Sequence, residues 1–196
     1  MSKFIEAIKK NREDIIKPVG VLLAICIIIP LALSVTNKVT AKKIAELENE
    51  NSKKNMQSLV SADDFEKCSD GGIEYYTAIK GGETAAYIFT ESAKGYGGDV
   101  SVMTAVKPDG TVAGVAILDV SNETPGLGQN AAKESFYSQY AGLKKGVSLL
   151  KNGAKAENNE VDAVTGATIT STAVTRAVNT ALDDFEKVKG ATVGEE

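Results

Sequence analysis

Twenty consecutive residues, Pro18 to Asn37, carry no charge, and Lys17 and Lys38 bracket them. The apolar run inside this stretch is Val19 to Val35, interrupted only by Gly20, Pro30 and Ser34. At about 1.5 Å per helical residue the stretch reaches about 30 Å, the thickness of a bilayer core. A soluble helix would need one polar face, and this run has none. A cleaved signal peptide is the rival reading, because Ala32-Leu33-Ser34 is a passable small-x-small cleavage site. The apolar run is longer than a usual signal core, so an uncleaved transmembrane helix is expected over 18–37. Pro30 is tolerable there, as a kink.

The flanks suggest an orientation. Lys3, Lys9, Lys10, Arg12 and Lys17 precede the span, whereas Lys38, Lys42 and Lys43 follow it closely. The more basic flank stays inside, so residues 1–17 are expected in the cytoplasm and the rest beyond the cell membrane. Lys53 and Lys54 soften this asymmetry. The chain as a whole has a net charge of −4. Residues 1–36 hold five basic and three acidic side chains, so residues 37–196 sum to −6. An acidic domain argues against nucleic acid as a partner.

Absences narrow the chemistry. There is no histidine, which removes Ser-His and Cys-His nucleophiles and imidazole metal ligation. The two cysteines, Cys26 and Cys68, fall within and beyond the span, so they are poor partners for a disulfide. No Cys-x-x-Cys exists to hold an iron–sulfur cluster. No metal site is expected, and any redox role would need an organic cofactor.

Past the span, residues 38–70 read as a charged helical stalk or linker, ending in a short helix over Leu59–Lys67 with Ser61 as its cap. A folded domain is expected over 71–190, with a flexible tail over 191–196. Ile73–Ala78, Ala85–Thr90, Asp99–Lys107 and Thr111–Val120 read as strands, rich in β-branched and aromatic residues. Pro108-Asp109-Gly110 marks a hairpin turn between the last two. Asn130–Tyr140 reads as a helix and Val147–Leu150 as a short strand. Val174, Ala177, Val178, Ala181, Leu182, Phe185 and Val188 recur at helical spacing, giving a long closing helix with one buried face. Strands followed by helices predict an α+β domain with a mostly antiparallel sheet and flanking helices.

Two motifs carry the functional reading. Asp162-Ala163-Val164-Thr165-Gly166-Ala167-Thr168-Ile169-Thr170 places a small-residue turn and a row of hydroxyls before that closing helix. Unpaired N–H groups and the positive dipole end gather there, which suits a phosphate. On spacing alone, Thr170 and Ser171 could be ordinary caps. Glu123-Thr124-Pro125-Gly126-Leu127-Gly128 is the second motif. Its Pro-Gly turn and its glycines can lay main chain against a flat ring; a plain connecting loop would read the same way.

The first motif resembles the flavinylation motif of the FMN-binding domain family, in which a threonine is esterified by the phosphate of FMN. Asp162, Thr165, Gly166, Ala167 and Thr168 occupy its positions. The second motif, Gly95-Tyr96-Gly97-Gly98 and the order of all three resemble the G subunits of Rnf electron-transport complexes. Many relatives carry a histidine two residues before the motif's glutamate; here the residue is Ser121, so no role of that histidine carries over.

The resemblance implies a membrane-anchored electron-relay subunit of an ion-translocating ferredoxin:NAD oxidoreductase. Ferredoxin and NAD would meet the complex, not this chain. The chain by itself would have no complete catalytic activity and no catalytic residue. FMN would be joined to Thr168 by a phosphoester, loaded by a flavin transferase. Asp162, Thr165, Gly166, Ala167 and Thr170 would form the phosphate side of the site. Glu123, Thr124, Gly126, Leu127 and Gly128 would form the ring side, with Tyr96 a weaker candidate. The C subunit of a sodium-translocating NADH:quinone reductase has a similar anchor and threonine motif but tends to be longer. A non-redox extracytoplasmic binding or scaffold domain is the third reading.

Overall fold

The computed structural model describes residues 12–150 and 159–192. It divides into two compact units, 1–51 and 52–196. The first contains most of a continuous helix, α1 (Arg12–Leu59), which runs through both Pro18 and Pro30. Within it, Ile16–Lys38 is long and apolar enough to cross a membrane, and its side chains are exposed all round. The charged residues that follow stay helical to Leu59.

The second unit is the α+β domain. Five antiparallel strands form a sheet in chain order: β1 (Asp64–Asp70), β2 (Ile73–Lys80), β3 (Glu83–Lys94), β4 (Asp99–Val106) and β5 (Val112–Asp119). All four strands expected from composition are present. The first two hairpins turn on glycine pairs, Gly71-Gly72 and Gly81-Gly82. All four glycines have positive φ, as a type I′ turn requires. The hairpin between β4 and β5 turns on Pro108-Asp109-Gly110, where Asp109 Oδ1 accepts from the Thr111 amide at 2.9 Å.

Strand β1 corrects the expected short helix at Leu59–Lys67. Residues Asp64–Asp70 pair with Ile73–Ile79 along their full length. Cys68 packs towards one face of the sheet and Phe65 towards the other. Sheet pairing through a glycine hairpin has overridden a weak helical pattern. The compact unit accordingly begins well before Gly71.

A short connecting region follows β5. The helix expected over Asn130–Tyr140 is broken at Lys133, whose backbone is extended. A 3-10 turn (Gly128–Ala132) precedes the break, and a one-turn helix α2 (Glu134–Tyr137) and a second 3-10 turn (Ser138–Tyr140) follow it. Phe136 and Tyr140 still meet, with ring centroids 5.7 Å apart. Part of the expected strand at Val147–Leu150 exists as β6 (Ser148–Leu149), paired in parallel with β7 (Glu160–Val161).

The closing helix α3 (Thr168–Thr192) covers one face of the sheet. Its expected apolar face is fully buried against Phe89, Val100, Val102 and Val106. Phe185 meets Tyr87 edge-on at 5.3 Å. The opposite sheet face offers Ala78, Ala86, Ile88, Met103 and Ala105 to Met56 and Leu59 at the end of α1. The helix continues two residues past Gly190, and the final four residues of the expected tail lie outside the described residues.

Candidate functional site

Two turns of the same construction frame the site. In Thr124-Pro125-Gly126-Leu127 the Leu127 amide donates to the Thr124 carbonyl at 3.1 Å, and Gly126 has φ +76°. In Val164-Thr165-Gly166-Ala167 the Ala167 amide donates to the Val164 carbonyl at 2.9 Å, and Gly166 has φ +75°. A positive φ at the third residue defines a type II turn and is glycine's natural place. The turns touch: a Cβ built on Gly166 would lie 3.1 Å from Leu127 Cδ2.

Between them opens a cleft of about 530 Å³, lined by Tyr96, Glu123, Thr124, Leu127, Gly128, Gly166, Ala167, Thr168, Ile169 and Thr170. Tyr96, Leu127 and Ile169 are exposed apolar side chains at 71, 44 and 55%. Such exposure on a folded domain marks a surface made for contact.

The hydroxyls of the threonine motif have different fates. Thr170 is buried and donates to Glu123 Oε2 at 2.5 Å. Ser171 is buried, donates to the Ala167 carbonyl at 3.0 Å and accepts from the Val164 amide at 2.9 Å. Thr172 is exposed but donates to the Thr168 carbonyl at 2.7 Å, and it lines a different depression. Thr168, the first residue of α3, is exposed in the cleft, and its hydroxyl has no hydrogen-bond partner among the described residues.

Glu123 is the buried charge of the site, 2% exposed. Its Oε1 accepts from the Gly97 amide at 2.9 Å, while Oε2 accepts from Thr170. Burial pushes its pKa up, but the bonds from Thr170 and Gly97, with the N–H groups of Gly98 and Tyr96, outweigh burial and hold it below the ordinary carboxylate value. Two glycines, Gly95 and Gly128, crowd this carboxylate, and Gly97 crowds the backbone just before it. A Cβ on Gly95 would strike Glu123 Oε1, and one on Gly97 would strike the Asn122 carbonyl. One on Gly128 would lie 2.5 Å from Oε2 and 2.8 Å from Thr170 Oγ1. The side chain therefore braces the walls of the cleft instead of presenting itself to its open space.

The remaining motif residues divide. Gly126 does not line the cleft; its carbonyl accepts from Asn130 Nδ2 at 2.6 Å, tying the turn to the 3-10 turn after it. Asp162 and Thr165 line a separate depression of about 310 Å³ with Asn130, Lys133 and Gln139. The Asp162 amide donates to Gln139 Oε1 at 2.8 Å, leaving its carboxylate exposed. Ile169 joins the cleft although the sequence motifs assign it no part. Its signal is an apolar residue lying off the buried stripe that begins at Val174.

Residues 95–183 match the family model of the FMN-binding domain. The chain is 40% identical over 165 residues to the G subunit of the proton-translocating ferredoxin:NAD(+) oxidoreductase complex of Clostridium ljungdahlii, covering 84% of this chain and 85% of that one. It is 34% identical over 188 residues to the G subunit of the Na(+)-translocating ferredoxin:NAD(+) oxidoreductase complex of Acetobacterium woodii, covering 86 and 90%. Among solved structures, the C subunit of the Na(+)-translocating NADH-quinone reductase of Parabacteroides distasonis is similar at 27% identity and a TM-score of 0.52. That match covers 59% of this chain and 62% of that one, so the chain spans less than two thirds of the solved protein. Two relatives at 34% identity or more, each matched over 85% or more of its own length, decide the matter: the chain belongs to the family of Rnf complex G subunits and carries their FMN-binding domain.

Proposed function

We propose that this protein is the membrane-anchored flavoprotein subunit of an Rnf-type ferredoxin:NAD oxidoreductase coupled to ion translocation, and that it relays electrons through FMN joined to Thr168. The observation that carries the site assignment is the state of the hydroxyls. Thr168 alone among those of the motif is exposed in the cleft with its hydroxyl uncommitted.

The residues present fit the cofactor. The cleft volume lies within the range of small-molecule sites. Leu127, Ile169 and Tyr96 offer apolar surface to a ring, and the first turn of α3 offers N–H groups and dipole to a phosphate. Bound flavin would supply the capacity to pass electrons singly or in pairs. The protein's share is to hold the ring between two glycine turns and to exclude water with apolar side chains. A covalent bond also suits a carrier that has no cytoplasmic pool from which to rebind a lost cofactor.

The separate placement of Asp162 and Thr165 supports a division of labour. Their depression suits recognition by the flavin transferase that loads Thr168, so Asp162→Asn should reduce incorporation far more than stability. Orientation follows from the basic N-terminal flank: residues 1–17 in the cytoplasm, the flavin domain on the far side of the membrane. The other Rnf subunits would be its electron donor and acceptor. The likeness to the quinone-reductase protein favours the same chemistry in a sister complex, but the Rnf relatives match far more of the chain.

The test is the intact mass of the full chain purified from its own host, followed by peptide mapping. One FMN on the peptide bearing Thr168, and none in Thr168→Val, is the expected result. Flavin mapped to Thr165, Thr170 or Thr172 would refute the acceptor. Absence of any flavin, with no fluorescence surviving boiling in detergent, would favour the non-redox reading. A single cysteine introduced near Glu91 and labelled from outside intact cells tests the orientation; labelling only after lysis would invert it.

A further inference from the structure

Glu123 stands apart from the other residues of the cleft because it is a buried carboxylate with no basic side chain paired to it among the described residues. Ion pairs among the described residues of the domain involve exposed lysines that do not line the cleft, such as Lys67 with Glu74 or Lys145 with Asp183 and Glu186. The bonds of Glu123 reach in two directions. One arm holds the Gly95–Gly98 loop, 26 residues back in the chain, and the other holds the first turn of α3, 47 residues ahead. Gly95 and Gly128 have no side chain where the carboxylate sits, and a Cβ at either would collide with it. A buried charge would be costly here without the Thr170 hydroxyl and the N–H groups of the Gly95–Gly98 loop that hold it, and without the two glycines that make room for it.

We propose that Glu123 is a positioning residue of the flavin site, locking the Gly95–Gly98 loop to α3 as a single wall, and that its negative charge, paired with no basic side chain among the described residues, disfavours reduction of the bound flavin. This rests on the FMN assignment above. Charge in a low-dielectric wall acts strongly on charge added nearby, because little water intervenes to screen it. Reduction adds electrons to the ring, and Glu123 opposes that addition. A mechanical brace alone would have no such electrical consequence.

Two variants separate the brace from the charge. In Glu123→Gln the amide keeps both bonds: its oxygen accepts from Gly97, and its NH₂ donates to the Thr170 hydroxyl, which can accept as well as donate. The shape is conserved and the charge is gone, so the flavin midpoint potential should move to more positive values. Thr170→Val keeps the charge but removes one of the donors that offset it, so the potential should move to more negative values. The experiment is a spectroelectrochemical titration of the full chain in detergent, loaded by a co-expressed flavin transferase. Dithionite supplies the electrons and buffer the protons, and covalent flavin content and thermal unfolding are recorded on the same samples. A more positive potential in Glu123→Gln together with a more negative one in Thr170→Val supports the proposal, and the reverse pair overturns it. An unchanged potential in Glu123→Gln, or shifts of the same sign in both, overturns it and leaves Glu123 as a structural brace. If Glu123→Gln fails to fold, Thr170→Val decides, and an unchanged or more positive potential there overturns the charge effect. Wild-type protein without covalent flavin would instead overturn the FMN reading, and this proposal would fall with it.

Discussion

The two long helices of this protein solve opposite problems. In the span of α1, Val21, Leu22, Ile27, Ile28, Leu31 and Leu33 are each more than 60% exposed, with apolar residues on every side. In α3, Val174, Ala177, Val178, Ala181, Leu182, Phe185 and Val188 are all buried on one face, while Arg176, Glu186 and Lys187 face water. The backbone is the same, so the difference lies in the distribution of apolar residues around the axis. A helix apolar all round has nowhere to hide in water and must be solvated by lipid. A helix apolar on one stripe can bury that stripe on a sheet and leave its ends available. α3 uses that freedom at its N-terminus, where Thr168 and Ile169 face the cleft while Val174 and its successors hold the helix down. The wall of the cleft and the buried stripe are thus laid end to end along one element, whereas the span has no such division.

The largest effect should come from breaking the buried stripe. Phe185→Ala removes a ring that packs on Tyr87 and the core, at a cost of about 3–5 kcal/mol. Thermal unfolding of the full chain in detergent should show a large fall in Tm. Leu22→Ala in the span should leave that transition in place, since the Leu22 side chain is exposed and belongs to neither core cluster. Next in size is a charge in the span. Ile27→Arg near its centre should oppose insertion by about 2.5–3.5 kcal/mol, read as a shift from the membrane fraction to the soluble or degraded fraction. If Ile27→Arg fractionates as wild type does, the lipid-facing assignment is wrong.

Gly128→Ala tests whether the first turn of α3 is as tightly built as its stripe. The added methyl would press on Glu123 and Thr170, an overpacking cost of about 1–3 kcal/mol, checked by urea unfolding. The smallest effect is the pH dependence of the same junction. The folded-state pKa of Glu123 lies below its unfolded value of about 4.5, so its stabilisation is fully present above that pH and is lost as pH falls through the lower folded value. Thermal unfolding between neutral pH and pH 4.5 should show no change from this group. Below that range, wild type should lose more stability than Glu123→Gln, and equal losses would remove the carboxylate from the account.

Much of this is legible without coordinates because it depends on near neighbours in the chain. Composition alone marks the span, since no charge interrupts it. Runs of β-branched and aromatic residues locate four strands, and a period of 3.6 locates α3. Pro125-Gly126 and Thr165-Gly166 signal turns, because glycine is the residue that takes positive φ without strain. Strand β1 escapes such patterns although Gly71-Gly72 is a hairpin signal. Its charged residues Asp64, Glu66, Lys67 and Asp70 suit an exposed edge strand and leave little apolar pattern.

What the sequence by itself determined, then, is which segments are apolar, which can turn and where the hydroxyls lie. Tertiary structure alone decided which hydroxyl is left uncommitted in the cleft. Thr165, Thr168, Thr170, Ser171 and Thr172 are equivalent as letters. They differ because Glu123, 47 residues away, reaches Thr170; because α3 turns Ser171 inward onto Ala167 and Val164; and because Thr165 falls beside Gln139 in a separate depression. Each outcome depends on a contact closed by folding, whose partner no local pattern names. The same closure buries Glu123 beside two glycines, and so converts an ordinary loop carboxylate into the charge at the wall of the cleft.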